Sequence, residues 1–197
     1  MAVIADISVS LDGFVTGPNP GLENGLGAGG SALHRWAFSD NPQEQELVAR
    51  ATERSGAVVL GRKLFDIVDG PGGWNEDVGY GASLAATPPF VVVTSQPPRS
   101  VRLTQLDWSF STGGLAEAIS MATSRVKDPA QDVVLMGGGL LIGTALQAGL
   151  IDQLHLHVAP VLLGAGTPLF RDGGLQHFAQ REVLATENAT HLVYEPA

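Results

Sequence analysis

The sequence predicts one α/β domain with a mostly parallel sheet and an antiparallel edge made by a C-terminal hairpin. Three observations predict it. β-prone apolar runs alternate with helix-patterned runs from the start of the chain to about residue 158. Several of those runs are continuously apolar, as expected of strands covered on both faces. Strand-like segments then dominate to the end. The 197 residues are 44% hydrophobic and only 16% charged, which fits one packed domain over 1–197 and argues against disorder.

Taken in order, residues 2–10 (AVIADISVS) predict a buried strand ending in the turn Leu11-Asp12-Gly13. Residues 17–31 hold six glycines and two prolines and predict a long loop, of the kind that serves as a lid or binding loop. A helix is predicted over 42–54, with Pro42 near its start and Asn41 or Asp40 as cap. Ala57 to Leu60 predicts a strand running into Gly61-Arg62-Lys63. Residues 70–89 are rich in Gly and Pro and predict irregular chain; Phe90 to Thr94 is the clearest strand, and Trp108 to Ser111 another. Leu115, Ala118, Ile119, Ala122 and Val126 fall at helical spacing near 114–126. Asp132 to Met136 predicts a strand entering Gly137-Gly138-Gly139, then a helix to about Ala148 that stops at Gly149. Gln153 to Val158 alternates, and strands near 181–187 and 190–195 predict a hairpin around Asn188-Ala189.

Charge and composition exclude several function classes. A formal net charge of −9 repels phosphate backbones, so no nucleic-acid partner is expected. No apolar run reaches the ~18–20 residues of a membrane helix, and the N-terminus has no leader pattern, which predicts a cytoplasmic protein. Zero cysteines exclude disulfides, thiolate metal sites and a cysteine nucleophile.

Two strand-to-glycine-to-helix junctions carry the functional signal, at Gly61-Arg62-Lys63 and at Gly137-Gly138-Gly139. Unpaired N–H groups at a helix start attract anions, and glycine lets a ligand approach them closely. In open α/β sheets ligands sit beyond the carboxyl ends of strands, where both junctions fall. Either cluster alone is better read as a tight turn; the two together carry the signal. Thr94-Ser95, at the end of the strongest strand, reads as a phosphate or ribose contact or as a turn start. Asp12 reads as a turn former or a substrate contact. His155 and His157 share one sheet face, either simply as polar residues of that face or as the beginning of a metal site that lacks a third ligand, so no metal is expected. Trp36, Trp74 and Trp108 read as packing residues, the first two beside the expected pocket.

The order and spacing of these junctions resemble the dihydrofolate reductase-like superfamily over nearly the whole chain. Ser10-Leu11-Asp12-Gly13-Phe14-Val15, the run from Ala148 to Leu154, and the run from Pro160 to Phe170 are similar to the reductase domain of bifunctional riboflavin-biosynthesis deaminase-reductases and its stand-alone bacterial relatives. The resemblance implies a three-layer α/β/α, dihydrofolate reductase-like fold, NADPH as cofactor, and hydride delivery to a small heterocycle. By position, it implies that Arg62 and Ser95 hold the 2′-phosphate, and that Gly61, Lys63 and Thr94 line the adenine-side phosphates. Gly137, Gly138, Gly139, Leu140 and Leu141 would cradle the pyrophosphate and nicotinamide side, and Ser8 and Val15 would meet the nicotinamide. Asp12 is the candidate substrate contact, and the loop at 17–31 the lid. The expected partners are a heterocyclic substrate and a second copy of the chain.

The chain also departs from the pattern. Leu64 replaces the usual Thr of dihydrofolate reductases, and Leu140 a pyrophosphate-binding cation. Asp40, Glu44 and Glu46 are the candidates for their buried pterin-binding carboxylate. Asp6 and Met136 stand where riboflavin reductases often have Lys and Glu. The first-choice substrate is the ribosylamino-pyrimidine intermediate of riboflavin synthesis; a folate or other heterocycle is second. A non-catalytic NADPH-binding protein and a flavin-dependent reductase remain open.

Overall fold

The N-terminal apolar run forms β1 (Val3–Ser10), and the turn at Asp12-Gly13 leads into the short β2 (Phe14–Thr16). A computed structural model describes residues 1–83, 85–171 and 174–197. A 3-10 helix (Gly30–Phe38) is followed by α1 (Pro42–Arg54), β3 (Ser55–Gly61) and α2 (Arg62–Val68). Next come β4 (Phe90–Val93), β5 (Trp108–Ser111), α3 (Leu115–Thr123), β6 (Asp132–Gly137) and α4 (Gly139–Gln147). The chain closes with β7 (Gln153–Ala159), β8 (Thr167–Pro168), β9 (Phe178–Ala185) and β10 (Thr190–Pro196).

Eight strands form one sheet in the order β5-β4-β3-β6-β1-β7-β10-β9. The six from β5 to β7 are parallel neighbours, and β10 pairs antiparallel with both β7 and β9. This is the expected mostly parallel sheet with an antiparallel edge. The central strands are continuously apolar because both faces are covered. On one face Ala5, Ile7, Val59 and Leu135 pack against Ala118 and Ala122 of α3 and Ile142 and Ala145 of α4. On the other, Val58, Leu60, Phe90 and Val92 pack against Phe65 and Val68 of α2. Trp74 and Trp108 join that second core, with Trp108 ring centres 5.0 Å from Phe65 and 4.7 Å from Phe90. Helices thus lie on both faces, giving three layers.

Helix α1 begins and ends where its signals place it. Pro42 is its first residue, and Asn41 Oδ1 accepts a hydrogen bond from the Gln43 N–H at 2.9 Å. The structure adds three things. The 3-10 helix buries Gly30, Leu33 and Trp36, a spacing of three that matches its three residues per turn and not an α-helical stripe. Strands β2 and β8 pair as a separate small sheet, too short to show alternation. Strand β9 begins three residues before the expected start and sits at the sheet edge, largely exposed, so it carries no inward apolar rhythm.

Candidate functional site

The two glycine junctions meet. Leu60 pairs with Gly137 across β3 and β6, and a Cβ built on Gly61 would lie 3.8 Å from both Gly137 O and Gly138 N. Gly137 has φ +124°, a conformation that favours glycine, and its peptide to Gly138 is cis. A Cβ on Gly139 would come within 2.6 Å of Val15 Cγ2, so glycine there lets β2 close on the start of α4. A Cβ on Gly138 would meet nothing within 4 Å. The space above Gly138 is therefore open, on a helix start whose first N–H groups have no intrahelical partner. Leu141 N and Ile142 N both bond back to Gly138 O, leaving the N–H groups of Gly139 and Leu140 as the ones an anion would meet. This donor set, a glycine-walled opening over a helix start, fits a dinucleotide pyrophosphate.

The junction at Gly61 supplies the cation. Gly61 pairs with Val93, so Thr94 and Ser95 emerge beside Arg62. Arg62 is held flat between two elements: Nε donates to Asp66 Oδ1 at 2.7 Å and Nη1 donates to the Gln96 carbonyl. Arg62 is thus oriented, and Asp66 offsets part of its charge. The buried Thr94 closes a turn with Gln96, donating to its carbonyl at 2.9 Å and accepting from its N–H at 3.2 Å. Ser95 and Lys63 are exposed.

Other expected site residues are placed differently. The Leu141 side chain belongs to the core and its N–H is bonded to Gly138 O, so of these two it is Leu140, 68% exposed, that has an N–H to offer a cofactor. Val15 is buried against α4. Ser8 is buried on the other face of the sheet, where its hydroxyl accepts from Trp36 Nε1 at 3.0 Å. Asp12 is a clip between two loops: it accepts from the Ser10 hydroxyl at 2.5 Å and from the N–H groups of Leu163 and Gly164 at 3.1 and 2.7 Å. The Ser10 hydrogen bond first, and the two N–H groups with it, hold its carboxyl below the usual carboxylate range. This is the turn-forming reading of Asp12, with both oxygens already engaged.

The glycine-rich loop is more organised than its composition suggests. Gly17 N donates to Leu26 O at 2.8 Å, Ala28 N to Pro18 O at 3.0 Å and Gly21 N to Gly25 O at 2.9 Å. Leu22 reaches the chain just past α2, where a Cβ on Gly70 would lie 3.1 Å from its Cδ2. The loop therefore bridges from β2 to the far side of the first glycine junction.

A buried polar cluster that no local sequence pattern announces as a whole lies on the face shared by β1, β7 and β10. Ser8, His157 and His191 are direct cross-strand neighbours. His157 Nε2 lies 3.1 Å from Asp6 Oδ1, and its Nδ1 lies 2.8 Å from His191 Nδ1. Trp36 lies against His157 with ring centres 4.2 Å apart and the rings tilted by 35°. Of the three carboxylates considered for a pterin contact, Asp40 and Glu46 are exposed and Glu44 is wholly buried. Glu44 accepts from Ser39 Oγ, Thr186 Oγ1 and, at 3.0 Å, Asn188 Nδ2. Burial works to raise its carboxyl, but these hydrogen bonds outweigh it and hold it low. For Asp6, burial likewise works upward and is outweighed by His157, with His155 and His34 adding to it. Burial, reinforced by His157, pushes His191 down to about 4. The available signals were Asp6, the one charge in β1, and the His155-His157 pair on one face of β7.

Residues 1–192 match the RibD C-terminal domain family, and the chain belongs to that family. It is 28% identical over 171 residues to the uncharacterized protein YyaP of Bacillus subtilis (strain 168), covering 86% of this chain and 80% of that one. Its fold resembles that of a Shewanella sp. PV-4 protein assigned provisionally to riboflavin biosynthesis, with TM-score 0.73, 22% identity and coverage of 100% of this chain and 99% of the other. It also resembles RibD of Acinetobacter baumannii, with TM-score 0.65 and 20% identity. The whole chain matches only 58% of that protein's length. The dihydrofolate reductase-like architecture is that of these relatives. Among the described residues, no helix is long and apolar enough to cross a membrane.

Proposed function

We propose that the protein is a cytoplasmic, NADPH-dependent reductase that reduces a C=N or C=O bond of a small heterocycle. The ribosylamino-pyrimidine of riboflavin synthesis, 5-amino-6-(5-phosphoribosylamino)uracil, is the first substrate to test. The observation that carries this reading is the contact of the two glycine junctions at the carboxyl ends of β3 and β6, with open space over Gly138 and an oriented Arg62 beside it. NADPH, when bound, supplies the hydride from its nicotinamide ring. The chain's own part is to fix the pyrophosphate with the N–H groups of α4, to recognise the 2′-phosphate with Arg62, and to exclude water. A dihydrofolate reductase reading is weaker, because both oxygens of the buried Glu44 carboxylate are already engaged, Oε1 by Thr186 and Oε2 by Ser39 and Asn188. The acidic chain is expected to act as a homodimer without nucleic acid.

Binding titrations test the cofactor assignment. Unmutated protein is expected to prefer NADPH over NADH, and Arg62→Ala to erode the preference about ten- to a hundredfold, as for the loss of one charge-assisted bond worth roughly 1.5–3 kcal/mol. Equal binding of both cofactors by the unmutated protein would sink the assignment. Oxidation of NADPH in the presence of the pyrimidine, or its absence, then decides the substrate. The loop at 17–31 is expected to act as a lid, because it starts at β2 and bridges toward α2. Its amide hydrogen exchange is expected to slow when NADPH and a pyrimidine analogue are added; unchanged exchange in a saturated complex removes that role.

A further inference from the structure

The Arg62 guanidinium is already held in the cofactor-free protein. Its N–H groups lie in one plane. The Nε–H is taken by Asp66 Oδ1 at 2.7 Å and one Nη1–H by the Gln96 carbonyl. These partners stand on different elements, Asp66 one turn further along α2 and Gln96 in the turn that follows β4. Two bonds in fixed directions set the plane of the group, and Arg62 makes no other hydrogen bond among the described residues. The second N–H of Nη1 and both of Nη2 are left, on a side chain 36% exposed, so they are open to a ligand. The Gln96 carbonyl also accepts from Thr94 Oγ1 at 2.9 Å, which ties the guanidinium to the turn that carries Ser95.

Asp66 has two opposed effects on Arg62: it turns the Nη edge outward, and it offsets the positive charge. Fold stability does not account for the pair. An exposed ion pair at this helical spacing adds little to a fold, and both side chains are more than a third exposed. Helix α2 is anchored without it. Phe65 and Val68 are buried in the core, and the Asp69 carboxylate at the helix end accepts from the N–H groups of Arg102 and Leu103. What the pair fixes is direction. An untethered arginine keeps side-chain freedom that a ligand must remove on binding; an arginine tethered in the cofactor-free protein has lost it on folding.

We propose that Asp66 is the positioning residue for recognition of the cofactor's 2′-phosphate: it gives up part of the Arg62 charge and fixes the direction of the Arg62 N–H groups. The proposal rests on the reading of Arg62 as the 2′-phosphate contact. A phosphate takes two parallel N–H bonds from one guanidinium edge, and that match requires the edge to point at it. Discrimination between NADPH and NADH then comes from aim more than from charge.

Asp66→Asn and Asp66→Ala separate the two effects, because both remove the charge and only the first keeps an oxygen for the Arg62 Nε–H. Fluorescence titrations of the full chain with NADPH and NADH are the test. Asp66→Asn is expected to bind NADPH about two- to fivefold more tightly than the unmutated protein, because a repulsion is removed. That gain should shrink as salt is raised. Asp66→Ala is expected to bind NADPH about three- to tenfold more weakly than Asp66→Asn, as for one side chain that must be immobilised on binding. Salt should leave that gap in place. NADH, which lacks the 2′-phosphate, should not distinguish the two variants, and in an Arg62→Ala background NADPH should not either. Equal NADPH affinity of the two variants overturns the proposal, as does a loss shared by NADPH and NADH, which marks a structural effect. The cofactor-free protein gives a second readout. The Nε–H NMR signal of Arg62, identified by its loss in Arg62→Ala, should exchange more slowly in the unmutated and Asp66→Asn proteins than in Asp66→Ala; equal exchange in all three overturns the positioning role. Equal binding of NADPH and NADH by the unmutated protein overturns the cofactor assignment and the proposal with it. A preserved NADPH preference with the two variants alike overturns the proposal alone.

Discussion

Gly138→Val is expected to abolish NADPH binding and leave a folded protein. Gly138 has φ −71° and ψ −176°, an extended conformation open to any residue, and a Cβ there has no atom within 4 Å. The valine methyls would therefore project into open space and not into the core. That space lies over the N–H groups of Gly139 and Leu140, where a pyrophosphate must approach to bond them. Gly139→Ala is the contrasting variant, because its Cβ would lie 2.6 Å from Val15 Cγ2. It is expected to lose stability, by about 1–3 kcal/mol as for overpacked sites. Thermal melts and NADPH fluorescence titrations of both variants check the pair of outcomes. Normal binding by Gly138→Val would move the cofactor elsewhere and remove the main support for the reductase reading.

Stability is expected to fall steeply as pH drops from about 6.5 toward 4. His191 is 5% exposed, and burial pushes it down to about 4, below the ordinary imidazole value of 6.5. Between those values the unfolded chain binds a proton that the folded chain refuses, so stability rises with pH there and is lost on acidification. The loss from His191 alone is on the order of 3 kcal/mol, a large share of a typical domain's stability. Burial depresses His34 and His155 as well, and both act in the same direction. Asp6 and Glu44, held low, add a further loss as their carboxylates protonate at still lower pH. Urea midpoints measured from pH 7.5 to 4 check this, and His191→Gln should flatten the profile. A level profile between pH 7 and 5 in the unmutated protein contradicts the buried, neutral assignment of the histidines.

Much of the fold was legible because its signals are local. Asn41-Pro42 set the start of α1, the continuous apolar runs at β3 and β4 marked strands covered on both sides, and Gly149 stopped α4. The junction glycines were legible for the same reason, since a strand, a glycine turn and a helix follow one another within about ten residues. Side-chain roles at those junctions were less so. Leu141 points into the core and Asp12 ties down a distant loop, which neighbouring residues do not reveal.

The sequence by itself determined the α/β class, the mostly parallel sheet and the glycine junctions, because turn chemistry and apolar periodicity act between residues close in the chain. Only the tertiary structure decided that the two junctions touch, that Arg62 is pinned between Asp66 and Gln96, and that Glu44 is the buried carboxylate of α1. It alone brought Asp6 to His157 across 151 residues and Glu44 to Thr186 across 142. Those contacts depend on β7 and β10 docking beside β1 in one register, and a strand's order in a sheet is set by long-range packing that no local pattern encodes.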